Sequence, residues 1–163
     1  HAGLETALRH VFIDLGATNV LAAAHELLVR SANTALVGRC LLDSPTLVKN
    51  YFKVHFAGAE RETFVVVFLD SQMRVIATEE LFAGTLQQTS VYPREVVKRA
   101  LHHNAGGVIF GHPHPSGQCE PSRADEFLTQ TLKSALSLVD VRVLDHMVVS
   151  GSTCTSFAER GLL

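Results

Sequence analysis

Tryptophan is absent from the chain and tyrosine occurs only twice, so aromatic packing falls almost wholly to nine phenylalanines. Cys40, Cys119 and Cys154 are odd in number and far apart, which argues against a disulfide framework and against a Cys-x-x-Cys zinc site. No apolar run approaches the ~20 residues that a bilayer crossing requires. No charged-then-apolar leader is evident either, so no membrane association is expected and the cytoplasm is the expected compartment. Neither sign of charge dominates: 14 Lys and Arg against 16 Asp and Glu leave a net −2, which speaks against broad electrostatic adhesion to nucleic acid. The chain starts at His1 without a methionine, so its start is not taken as biological. What remains is 163 residues, 47% of them hydrophobic, enough for one globular domain with a core that needs no covalent staples.

Against that background one stretch stands out, Gly111-His112-Pro113-His114-Pro115-Ser116-Gly117, followed by Pro121-Ser122-Arg123-Ala124-Asp125 at the head of a helical pattern. On an extended backbone His112 and His114 point to the same side, because side chains alternate along a strand. Asp125 would enter from the first turn of the next helix, with Ser122 as its N-cap. Two imidazoles and one carboxylate leave the fourth position of a zinc ion open to water, the mark of a catalytic site. The ordinary alternative is a surface histidine pair beside a carboxylate that favours the helix dipole.

The wider pattern resembles the JAB/MPN-plus (JAMM) metalloprotease superfamily and, within it, the bacterial RadC branch. The likeness runs from about Leu42 to the C-terminus. It includes Phe64-Val65-Val66-Val67-Phe68-Leu69-Asp70, Gly84-Thr85-Leu86, Pro93-Arg94-Glu95-Val96, Asn104-Ala105 and Val143-Leu144-Asp145-His146. It implies an α/β (α+β) fold, a mixed and mainly antiparallel sheet flanked by helices, with a cytidine-deaminase-like JAB/MPN core. Residues 42–163 would form that domain and 1–41 a helical N-terminal appendage. By the same resemblance Zn2+ is the expected cofactor, on His112, His114 and Asp125. Glu62, ahead of the first core strand, would be the general base, with Glu60 as fallback, and Ser122 would donate a hydrogen bond to the oxyanion. Asp145 and His146 match the family without a mechanism of their own and are left as supports for the ligands. Relatives carry Ser, Thr or Asn between the histidines. Pro113 stands here instead, and since proline lacks an N–H and fixes φ, the strand is expected to end early.

Periodicity fills in the rest. Apolar residues at helical spacing predict helices over 4–13 and 18–30, with His25 and Glu26 assigned to a surface. Asp43-Ser44-Pro45 predicts a helix start, with Ser44 as N-cap, running to about Phe56. The unbroken run Thr63–Leu69 predicts a strand buried on both faces. Arg74–Thr78 follows as its antiparallel partner, and a third short strand is expected near Leu81–Leu86. Pro93 opens a helix ending at His102-His103, with Arg94, Lys98 and Arg99 as a local basic cluster. Val108–Phe110 predicts a strand, Ser122 onward a helix with Phe127, Leu128, Thr131, Leu132, Ala135, Leu136 and Val139 on its apolar face, and Val141–Val149 a last strand. Cys119 reads as a passive loop thiol.

The functional expectation is zinc-dependent hydrolysis of a peptide or isopeptide bond in a peptide or protein substrate. The alternative is a non-enzymatic DNA repair or recombination module, and a third reading is a scaffold whose metal serves structure. Homo-oligomerisation is left open. Other histidine-rich hydrolases fit less well: an amidohydrolase would need a barrel of typically ~250 residues, and a nucleobase deaminase would need a downstream Pro-Cys-x-x-Cys.

Overall fold

The computed structural model describes residues 16–41, 45–84 and 90–163. The predicted helix over 4–13, the Ser44 cap and the Thr85-Leu86 part of the third strand lie outside these. In chain order the elements are α1 (Gly16–Leu36), α2 (Pro45–His55), β1 (Thr63–Leu69), β2 (Val75–Ala83) and α3 (Pro93–His102). β3 (Gly107–Pro113), α4 (Arg123–Ser137), β4 (Arg142–Ser150), β5 (Thr153–Ser156) and α5 (Phe157–Arg160) complete it.

The five strands form one sheet in the order β2-β1-β3-β4-β5, antiparallel throughout except for the parallel pair β3 and β4. This is the mixed, mainly antiparallel sheet flanked by helices that the family resemblance implies. No helix among the described residues is long and apolar enough to cross a membrane. All seven residues of β1 are buried, and the strand's period of two shares them between two cores. Val65, Val67 and Leu69 meet α1 and α2 through Leu36, Val48, Tyr51 and Phe52. Phe64, Val66 and Phe68 meet α3 and α4 through Val96, Ala100, Leu132 and Leu136. That division explains the unbroken apolar run.

Several expectations change. β2 is one strand to Ala83, not two short ones, and its half-exposed burial pattern is that of an edge strand that carries Glu79-Glu80, the gap between the two expected strands. α1 extends from Gly16 to Leu36, and His25, expected on the surface, donates from Nε2 to the Val54 carbonyl at 2.8 Å, tying α1 to α2. β5 and α5 were not anticipated. Their signal is the Ser150-Gly151-Ser152 turn, in which Gly151 takes φ +56°, a conformation that favours glycine.

The apolar stripe of α4 is rotated from its expected position. Its buried residues are Thr129, Leu132 and Leu136, whereas Phe127 is 76% exposed. Asp125 lies four residues before Thr129, so the stripe that packs on the sheet also carries Asp125 toward β3.

Pro113 is the last residue of β3, opposite Val149 of β4, so the strand runs through His112 to the proline and does not stop short of it. His114 donates its backbone N–H to the Val149 carbonyl at 2.7 Å, so by alternation the Pro113 nitrogen faces the β1 side. Pairing with β1 has already stopped at Gly111 opposite Val65. The missing N–H therefore removes no ladder bond.

Candidate metal centre

The centre is built where β3 runs on past its last pair with β1. Gly111 makes this possible: a Cβ there would stand 2.3 Å from the Phe52 ring, itself fully buried, so the absence of a side chain lets α2 press against the strand beside the histidines. His112 is buried and His114 half-buried. Their Nε2 atoms lie 3.0 Å apart. Asp125 closes the triangle, with Oδ1 3.2 Å from His112 Nε2 and Oδ2 3.3 Å from His114 Nε2.

Local chain chemistry aims each group. Ser122 is the N-cap of α4 in a reciprocal capping box. Its Oγ accepts from the Asp125 N–H at 3.1 Å, while its backbone N–H and hydroxyl donate to Asp125 Oδ2 at 2.7 and 2.6 Å. The helix terminus thus fixes the carboxylate rotamer. The His114 carbonyl accepts from Ser150 Oγ at 3.0 Å, and the His114 ring donates from Nδ1 to the Gln118 carbonyl at 2.9 Å. A carbonyl only accepts, so His114 Nε2 is left to the centre with its lone pair when the ring is neutral. Burial by itself raises the Asp125 pKa, but the two imidazoles against it and the Ser122 hydroxyl outweigh that and hold the carboxyl far below the usual carboxylate range. The Asp125 carboxylate in turn holds the His114 imidazole above its ordinary value, against the opposing effect of burial.

This set can hold a metal ion. One atom from each of His112, His114 and Asp125 lies within 4.8 Å of the others. The 3.0–3.3 Å separations suit ligands sharing an ion at the ~2.0–2.2 Å bond lengths of zinc with nitrogen and oxygen.

Glu62 sits just before β1 and lines a cleft of about 760 Å³ together with His114, Ser122 and Asp125. Its charge contributes to the raised His114 pKa. Its carbonyl accepts from the Gly84 N–H at 2.9 Å, which fixes the segment. Glu60, the fallback base, lines a different and larger cavity of about 970 Å³ with His25, His55 and Glu80, away from the triad.

His146 had no assigned mechanism from sequence, and the structure places it directly behind His112. Its Nε2 is 2.9 Å from His112 Nδ1 and its Nδ1 is 2.7 Å from Thr129 Oγ1. Complete burial pushes the imidazole pKa well below its ordinary value. Thr129 went unnoticed in the sequence, although Asp125, Thr129, Leu132 and Leu136 share a helical stripe. Asp145 points elsewhere: it accepts from Ser156 Oγ at 2.6 Å and the Ala158 N–H at 3.0 Å, fastening β5 and α5. Cys119 Sγ rests 3.1 Å from the Val148 carbonyl. His103, at the end of α3, is bound to Glu79 at 2.6 Å.

A family model for a RadC-like JAB domain matches residues 42–162. The chain is 58% identical over 143 residues to UPF0758 proteins of Variovorax paradoxus and Nitrosospira multiformis, and 59% identical to one of Methylibium petroleiphilum. In each case the match covers 88% of this chain and 64% of the relative, so the chain spans less than two thirds of those proteins.

Proposed function

The chain belongs to the RadC-like JAB family, and from that premise we propose that it is a metal-dependent hydrolase of peptide or isopeptide bonds. One observation carries this reading: two imidazole nitrogens and a carboxylate converge at 3.0–3.3 Å, and His114 and Asp125 of that triad line a cleft together with Glu62. Zinc is the proposed ion, because a borderline-soft cation suits imidazole and carboxylate together. When bound, it would supply a water made acidic near neutral pH and would polarise the scissile carbonyl.

The protein's own groups do the rest. His112, in β3, and His114, just past its end, would supply nitrogen ligands, and Asp125 would supply oxygen from a helix terminus. Glu62 takes the proton of the attacking water and delivers it to the leaving amine. Ser122 keeps Asp125 oriented through its hydroxyl. It can also stabilise the oxyanion by turning that donor toward the substrate in the cleft it lines. The substrate is an extended peptide or protein segment laid along this cleft.

The Glu62→Gln variant tests the reading. Metal binding should persist, while turnover of a responsive peptide or isopeptide substrate falls by about 100-fold or more, the usual contribution of a positioned base. Unchanged turnover would remove Glu62 from the mechanism. The DNA-module alternative draws no support from the basic cluster on α3. Arg94 and Lys98 both reach Glu95, and Arg99 is held by Glu79.

A further inference from the structure

We propose that Thr129 and His146 act as positioning residues that set the tautomer of His112, fixing its proton on Nδ1 and its lone pair on the Nε2 that faces the centre. The inference rests on the metal-site reading above and adds how the site is held ready for a cation.

The chain of donors has one starting point. The Thr129 hydroxyl donates its single proton to the Asp125 carbonyl at 2.6 Å, so at His146 it can only accept. His146 Nδ1, 2.7 Å away, must therefore carry a proton. The His146 ring stacks on Phe157 with centroids 4.8 Å apart and meets Phe64 and Phe110 edge-on. No carboxylate hydrogen-bonds to that ring among the described residues, so it stands as a neutral imidazole with a bare Nε2. That nitrogen lies 2.9 Å from His112 Nδ1, and the proton between them belongs to His112. His112 Nε2 is then bare, beside His114 Nε2 at 3.0 Å.

Reversing the chain would require the Thr129 proton to leave the Asp125 carbonyl. The hydroxyl that sets the tautomer is thus anchored to the backbone of the residue that supplies the carboxylate. A slip of α4 would disturb both at once, which couples the position of Asp125 to the state of His112. A metal-binding histidine ordinarily gives its second N–H to a carboxylate, a carbonyl or water. His114 follows that habit at Gln118, whereas His112 gives it to another neutral imidazole, whose own tautomer had to be fixed first.

A histidine among three phenylalanines could be a core filler, and the test separates the two roles. In 15N-labelled, metal-free protein, two-bond 1H–15N correlation spectra should show the Nδ1–H tautomer at both His112 and His146. An Nε2–H tautomer at either would overturn the proposal. Zn2+ affinity, measured by competition with a chromophoric chelator, should fall by about 10–100-fold in His146→Phe, the range for loss of a ligand's outer partner. His146→Gln, whose amide can accept from His112 and donate to Thr129, should recover most of that loss. A folded His146→Phe with wild-type affinity, or a His146→Gln no better than His146→Phe, would overturn it. Where His146→Phe does not fold, Thr129→Val decides: His112 should then populate both tautomers, and an unchanged spectrum refutes the proposal. Wild-type protein that takes up no Zn2+ would defeat the metal reading instead, while the metal-free spectra still decide the tautomer.

Discussion

Beside the single His55–Glu80 pair, two clusters among the described residues press histidine against carboxylate, and they differ in where the positive charge comes from. At the edge of β2, Glu79 accepts from His103 at 2.6 Å and from Arg99 Nε at 2.6 Å. The Arg99 guanidinium is a permanent cation, so that cluster is closed by the chain itself. At the mouth of β3, the ion-pair partners of Asp125 among the described residues are His112 and His114, neither of which carries a permanent charge. Donors gather there without a built-in cation. A histidine-carboxylate cluster is thus a metal candidate when its charge is left to be imported, and a structural tie when an arginine already supplies it.

The largest expected effect breaks the comparison at its stronger end. Asp125→Asn keeps the size of the side chain and removes its charge, and His114→Ala removes a ligand outright. Each should cost more Zn2+ affinity than the roughly 100-fold upper range for losing an outer partner. The corresponding change at the other cluster, Glu79→Gln, should leave Zn2+ affinity at the wild-type value. Isothermal titration of the three variants side by side decides this. Equal losses in all three would mean that the clusters are not different in kind.

A middle-sized effect concerns what each cluster stands on. His112 follows Gly111, whose missing side chain admits the Phe52 ring, whereas Glu79 rides an edge strand with half-exposed neighbours. Gly111→Ala should destabilise the fold by about 1–3 kcal/mol, the usual cost of overpacking, and weaken metal binding as β3 shifts. Thr78→Val, next to Glu79 on the edge, loses one hydrogen bond to Asn33 and should cost about 1 kcal/mol. Urea unfolding of both variants orders the two effects, and an edge substitution costlier than Gly111→Ala would reverse the argument.

Legibility in the sequence follows the same divide between local and distant causes. The β1 run, the Pro93 helix start and the Ser122-to-Asp125 cap depend on neighbours within a few residues, and the same-side placement of His112 and His114 needs only strand alternation. All were readable. His146 was not, because its meaning comes from His112, 34 positions away, and from Thr129, 17 positions away. The continuation of β2 through Glu79-Glu80 is hidden because its charges are answered from other elements, Glu79 by Arg99 of α3 and Glu80 by His55 of α2. An early end to β3 is expected from Pro113 because nothing local says that pairing with β1 stops at Gly111 and leaves the proline nitrogen no ladder bond to miss. Phe127 misled for a related reason: helical spacing shows which residues share a face, whereas the sheet decides which face is covered.

The smallest expected effect is the pH dependence that Glu79 gives the closed cluster. Glu79 is lowered from 4.5 to about 2, chiefly by its bond to Arg99, against some opposition from burial and with further help from His103. A carboxyl whose folded-state pKa lies below its unfolded value adds stability above the unfolded value and loses it as pH falls through the folded one. The contribution of Glu79 should therefore be whole above pH 4.5 and fade toward pH 2. Thermal melts of wild type and Glu79→Gln should differ slightly at neutral pH and converge across that window. A gap that persists to its acid end would show that Glu79 supports the fold through shape rather than charge. The tie to Arg99 would then no longer explain why this cluster needs no imported ion.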